Sequence, residues 1–170
     1  AAPGRRSRGV LPVEVAAADD PRAAALALAG SGDFSPCTLL WASSSEAWLV
    51  AVPGDAPARW QDIAPGWHAL AHAELDDAGE PRTAWLTTQL AGLVPRSADE
   101  AFASLTLLLA SHGMNGGPPV CLHEGAMRTV SATRVAIGSF GLRYEHAEGF
   151  PCTTPFLDHH DLLADAGGPS

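Results

Sequence analysis

Lysine is absent from this 170-residue chain, and all ten of its basic residues are arginine. Without lysine there is no Schiff base to a carbonyl substrate or to pyridoxal phosphate, and no phosphate-loop lysine. Basic charge is scarce as well: nineteen acidic residues leave a formal charge of −9 at pH 7. Nucleic acid and anionic membranes both call for a basic face, so this balance excludes either as the main partner. Long apolar runs are missing. Stretches such as Leu105–Ala110 fall far short of the ~18–20 residues of a membrane span. No basic segment leads into an apolar one, so no secretory signal is expected. Cysteine is sparse and odd in number (Cys37, Cys121 and Cys152), without the paired spacing of a disulfide framework. That usage suits a reducing compartment, and the expected location is the cytoplasm. The chain also has no Gly-x-Ser-x-Gly elbow, phosphate-cradling loop or paired-carboxylate signature.

What remains is a chain of ordinary single-domain length, 46% hydrophobic, long enough to bury roughly 70% of its unfolded surface. Pro12 demotes Val10–Val15 to an edge strand or a loop. Asp19-Asp20-Pro21 has the form of a helix start, acidic residues at the positive end of the dipole and proline in the first turn, and Gly30 marks the stop. Two apolar, aromatic-rich runs, Cys37–Ala42 and Ala47–Val52, flank Ser43-Ser44-Ser45-Glu46 and predict a hairpin. Trp67–His72 reads as a strand with His68, Leu70 and His72 on one face. Helices are predicted over 81–91, opening at Pro81, and over 97–111, opening on the capping box from Ser97 to Glu100. Strands are then expected at Val120–His123, Thr129–Ile137 and Leu142–His146, with a short helical segment in Leu157–Leu163. With no internal repeat, this order indicates a single α+β domain with antiparallel sheets and flanking helices.

Several residue groups could carry chemistry. Cys121-Leu122-His123 sets a thiol and an imidazole on one face of the predicted strand, as nucleophile and base or as two ligands for iron or zinc; a core cysteine is the plainer alternative. His68 and His72 share a strand face but stand ~13 Å apart, too far for one ion. Asp158-His159-His160-Asp161 points in several directions, and a solvated acidic tail is its plainer reading. Ser131 and Thr133 share a face of their strand, where hydroxyls need partners or a ligand. No metal site is assigned from these patterns.

Taken in order, several segments resemble one family. They are Ser7-Arg8-Gly9-Val10-Leu11, Pro36-Cys37-Thr38-Leu39-Leu40, Pro65-Gly66-Trp67-His68-Ala69-Leu70-Ala71-His72 with Leu75-Asp76 and then Pro81-Arg82, Val120-Cys121-Leu122-His123, and Met127-Arg128-Thr129-Val130-Ser131-Ala132-Thr133. Their order and spacing resemble the NRDE family, which includes the eukaryotic transport and Golgi organisation protein 2. Gly149-Phe150-Pro151-Cys152-Thr153-Thr154-Pro155-Phe156 is similar to the tail of its bacterial members. The Ala/Gly/Pro-rich, lysine-free composition matches a GC-rich, actinobacterial source. The motifs are degenerate: Cys37-Thr38 stands where the family has Asn, and Ala71-His72 replaces Ser-Asn.

The resemblance implies an N-terminal-nucleophile-hydrolase-like αββα sandwich. It also implies a C–N bond hydrolase whose nucleophile is a cysteine exposed by removal of the initiator methionine. The family's Met-Cys and Asn-Arg-Asp-Glu precede the Ser-Arg-Gly segment, and the expectation is of an N-terminally incomplete sequence lacking the first strands and that nucleophile. Cys37, Cys121 and Cys152 do not inherit its role, because an N-terminal amine is the local base in such mechanisms. In the hydrolase reading Arg8, Ser131 and Thr133 line the pocket. In the alternative the chain binds or carries a small molecule without catalysis; haem is the candidate that the family implies, with His68, His72, Cys121 and His123 as ligands. A third reading is an interaction domain with no chemistry of its own. Oligomeric state is not legible in the sequence.

Overall fold

The computed structural model describes residues 6–53, 56–71, 74–113, 116–125, 127–139, 141–159 and 161. These form an α+β protein of four helices and two three-stranded antiparallel sheets. The chain divides into two compact units, Ala1–Pro65 and Gly66–Ser170. No helix among the described residues is long and apolar enough to cross a membrane.

The first unit opens with helix α1, Val10–Ala16. This corrects the expected edge strand or loop. Pro12 lies in the first turn of the helix, where a backbone N–H has no intrahelical acceptor and its loss costs little. Leu11 and Val15, four apart, then share the buried face. Helix α2, Pro21–Gly30, begins as expected: the Asp20 carboxylate accepts from the Ala23 N–H at 3.0 Å, and Pro21 follows it. Strands β1 (Cys37–Ala42) and β2 (Ala47–Val52) form the predicted hairpin, with Trp41 opposite Trp48. Ser43 closes its turn by accepting from the N–H groups of Ser45 and Glu46. Strand β3, Arg59–Asp62, adds to the free edge of β2. Trp48 is fully buried between Trp41 and Trp60, with ring centroids 5.6 and 4.5 Å away. The core around it joins Leu11, Val15, Phe34 and Val50.

In the second unit, 67–70 is not the predicted strand. Asp76, in the left-handed region at φ 57°, returns a carboxylate oxygen to the Ala69 N–H at 2.8 Å, and its own N–H donates to the Ala69 carbonyl. The segment closes on itself, so it forms no ladder. Helix α3, Pro81–Ala91, is capped by the Glu80 carboxylate on the Thr83 N–H at 2.6 Å. Helix α4, Ala98–Leu109, is capped by Ser97 on the Glu100 N–H. The second arm of the box reaches one residue further out, because the Glu100 carboxylate accepts from the Arg96 N–H instead of that of Ser97. Ala69, Leu90 and Leu108 form the apolar core of this unit, with Trp67, Trp85 and Leu105 packed on it.

Strands β4 (Ala132–Gly138) and β5 (Gly141–Ala147) pair as an antiparallel hairpin. Strand β6, Leu157–Asp158, pairs with β5 through Glu145 and His146, where a helical segment was expected. Arg134 of β4 and Glu145 of β5 make an ion pair, and Arg134 also bonds Thr106 and the Phe102 carbonyl of α4. Arg143 bridges Glu145 and Asp99. The helix is therefore tied to the sheet through charge as well as through apolar contact.

A candidate metal centre of cysteine and histidine

Val120–His123 is not a strand either, yet its Cys-x-His does meet at one site. After α4, the Ser111 carbonyl accepts from both the Val120 and Cys121 N–H groups at 2.9 Å, which closes the loop and sets His112 beside Cys121. Gly117 is needed in this loop because a Cβ there would collide with the Trp85 indole. Beyond the site, Leu122 and Thr129 clamp the next turn: the Leu122 carbonyl accepts from the Thr129 N–H, and the Thr129 hydroxyl accepts from the Leu122 N–H. The fourth member arrives from the turn after β5, where the Phe150 carbonyl accepts from the Thr153 and Thr154 N–H groups and Cys152 is carried on the bend.

His112, Cys121, His123 and Cys152 bring one ligand atom each to within 4.8 Å of all the others. The Sγ atoms of Cys121 and Cys152 are 3.6 Å apart, and His123 Nε2 lies 3.0 Å from Cys152 Sγ. A tetrahedral zinc ion with bonds of about 2.0 Å to nitrogen and 2.3 Å to sulfur holds its donors about 3.3–3.8 Å apart. The cluster is close to that spacing, and movements of about 1 Å complete it. His123 is held by stacking on Phe150, centroids 4.0 Å apart and planes 9° from parallel, and His112 meets it edge-on at 4.8 Å. Cys121 is buried, Cys152 half-buried, and both histidines are exposed, so an ion has a path in from solvent. Burial, followed by its hydrogen bond with the Cys152 sulfur, pushes the Cys121 thiol up. A coordinated ion reverses that preference, since a metal-bound thiol is deprotonated outright.

The other expected ligands and pocket residues lie elsewhere or are otherwise engaged. His68 Nδ1 bonds Asp76 Oδ2 at 2.6 Å and is not part of the four-residue cluster. His72 and His160 fall outside the described residues. Arg8 belongs to the first unit, where its guanidinium donates to the Pro36 carbonyl at 3.1 Å. In the second unit Ser131 is exposed, and Thr133 Oγ1 lies 2.8 Å from His146 Nδ1. Asp158 lies in β6 opposite Glu145 with its side chain exposed, and the His159 N–H donates to the Tyr144 carbonyl. Cys37 is half-buried on the first core, and burial pushes its thiol up against the opposing pull of Arg8. Sequence reasoning missed His112 altogether and treated Cys152 as a loop thiol. A His-x8-Cys-x-His-x28-Cys order has no regular ligand spacing, and only the closed loop at Ser111 together with the 150–154 turn makes it a set.

The His68–Asp76 pair has a pH signature. Burial opposes the charge on Asp76, but the hydrogen bonds from His68 and the Ala69 N–H outweigh it and hold the carboxyl below the usual carboxylate range. A depressed folded-state value means that the stabilisation is complete above the ordinary value of about 3.9 and is lost as pH falls through the lower, folded one. Asp76→Asn is expected to cost about 1–2 kcal/mol in urea unfolding at neutral pH. The gap to wild type should close in strong acid, and a gap unchanged by acid would contradict this role for the carboxylate.

A cleft of about 440 Å³ adjoins the cluster, with Cys152 on its wall beside Thr106, Arg134, Thr153, Thr154 and Phe156. Comparison with known proteins finds no matching family model, no matching curated protein and no matching solved structure.

Proposed function

We propose that this chain is an NRDE-type protein, resembling transport and Golgi organisation protein 2, and that its second unit binds a zinc-like divalent ion. One observation carries the metal reading: two thiols and two imidazoles, three of them from the connection between α4 and β4 and one from the turn after β5, converge to within 4.8 Å. Sulfur and imidazole donors in a tetrahedral set suit zinc, whereas magnesium or calcium calls for oxygen. The family reading is supported by the ordered motifs and by the α+β class, four helices with two three-stranded antiparallel sheets among the described residues. The C–N hydrolase activity implied by the family would need a nucleophile other than Cys37, Cys121 and Cys152. The chemistry in these residues is ligand binding.

Haem is the competing ligand, and the cluster fits it poorly. A haem iron leaves two axial positions on opposite sides of a flat ring, while these four donors face one point. Zinc and haem titrations in parallel separate the two. One equivalent of zinc should bind and raise Tm, by the equivalent of about 2.7 kcal/mol when free zinc is 100 times its Kd. Haem should give no Soret shift at micromolar concentration. A Soret shift abolished by Cys121→Ser, with no zinc uptake, would reverse the assignment.

A further inference from the structure

We propose that this cluster is also an oxidation switch: Cys152 is the thiol modified by hydroperoxides, it closes a disulfide with Cys121, and the ion is thereby discharged. The inference rests on the metal reading above and adds to it a chemical trigger.

The two sulfurs are placed unequally. Cys152 is half-buried, on the wall of the open cleft, whereas Cys121 is only 1% exposed. Oxidation follows access to the sulfur, so a small peroxide reaches Cys152 first. With the ion bound, Cys152 is a thiolate and His123, whose Nε2 lies 3.0 Å from that sulfur, is a fellow ligand, so the sulfur attacks the peroxide with no proton to lose. The S–O bond forms on Cys152 and the peroxide O–O bond breaks. The oxygen left on sulfur makes a sulfenic acid, and the other departs as water (from a hydroperoxide, as the alcohol). The Cys121 sulfur then attacks Cys152, the S–O bond breaks and a second water leaves. In sum, two ion-bound thiolates lose two electrons, two protons enter from solvent, one hydrogen peroxide becomes two waters, and the divalent ion leaves.

The geometry for the second step is already present. The sulfurs are 3.6 Å apart and need to close by about 1.5 Å to reach the 2.05 Å of a disulfide. Cys152 sits in the tight 150–154 turn, outside the β5 ladder, so its side chain can rotate without unpairing the sheet. Once joined, neither sulfur is a thiolate ligand. Two imidazoles are left, too few to retain a zinc ion.

The test uses the full chain loaded with zinc, treated with stoichiometric hydrogen peroxide, with released zinc read by a chromogenic chelator and free thiols counted. One zinc should appear per disulfide, free thiols should fall from three to one, and peptide mapping should join Cys121 to Cys152. Dithiothreitol with added zinc should restore the starting state. In ion-free Cys121→Ser, a sulfenic-acid trap such as dimedone should label Cys152, whereas ion-free Cys152→Ser should leave Cys121 unlabelled. Zinc retained with all thiols intact, or Cys152 driven to sulfinic acid without a cross-link, overturns the switch and leaves the metal site standing. Failure to take up zinc before any peroxide is added overturns the metal reading, and the switch with it.

Discussion

Cys121→Ser is expected to lower zinc affinity by at least about 100-fold, since even an outer-shell partner lost from a zinc site costs about 10–100-fold. The exchange is nearly isosteric, and the residue is held by backbone bonds at Ser111 and Leu122 that the side chain does not make. The fold should therefore survive, with far-UV circular dichroism close to wild type. Cys152→Ser should weaken zinc in the same way, because it removes the second of two sulfur donors. Cys37→Ser is the control: Cys37 belongs to the first unit and should leave zinc stoichiometry unchanged. Competition against a chelator of known affinity measures all three. Equal affinity in wild type and Cys121→Ser would show that zinc binds through other groups.

Glu145→Gln should be strongly destabilising. The side chains of Arg134 and Glu145 are 12% and 8% exposed, and the carboxylate is shared with Arg143 at 2.5 Å. The Arg134 guanidinium lies over the rings of Phe102 and Phe156, 4.9 and 4.0 Å from their centroids. Removing one partner of a buried pair strands the other charge and costs about 3–5 kcal/mol. At a urea m-value of about 1–3 kcal/mol/M the midpoint falls by more than about 1 M. Replacing both partners, as Arg134→Met with Glu145→Leu, removes the stranded charge and should recover most of the loss. A loss under about 1 kcal/mol for Glu145→Gln would class the pair with ordinary surface ion pairs.

The parts of the fold that were readable from sequence are those decided within a few residues. Asp20-Pro21 and Ser97 announce their helices because a cap needs one acceptor and two or three neighbouring N–H groups. The Trp41/Trp48 hairpin was readable because two apolar, aromatic-rich runs flank a short polar turn. Pro12 misled because proline has two allowed homes, a strand edge and the first turn of a helix, and only the burial of Leu11 and Val15 decides between them. The 67–70 segment misled for a different reason. A short apolar run after Pro65-Gly66 reads as a strand, but Asp76 supplies from seven residues away the hydrogen bond that a neighbouring strand would have given.

The site was half legible. Cys121 and His123 stood out as a pair, on the assumption of a strand that does not form. Their partners come from the end of α4 and from the turn after β5, brought in by loop closures with no period in the sequence.

The central claim is that His112, Cys121, His123 and Cys152 hold one metal ion together, and zinc K-edge X-ray absorption on the loaded protein tests it most directly. Two sulfur donors at about 2.3 Å and two imidazole nitrogens at about 2.0 Å are expected around a four-coordinate ion. A shell of nitrogen and oxygen alone, with no sulfur at about 2.3 Å, would contradict it.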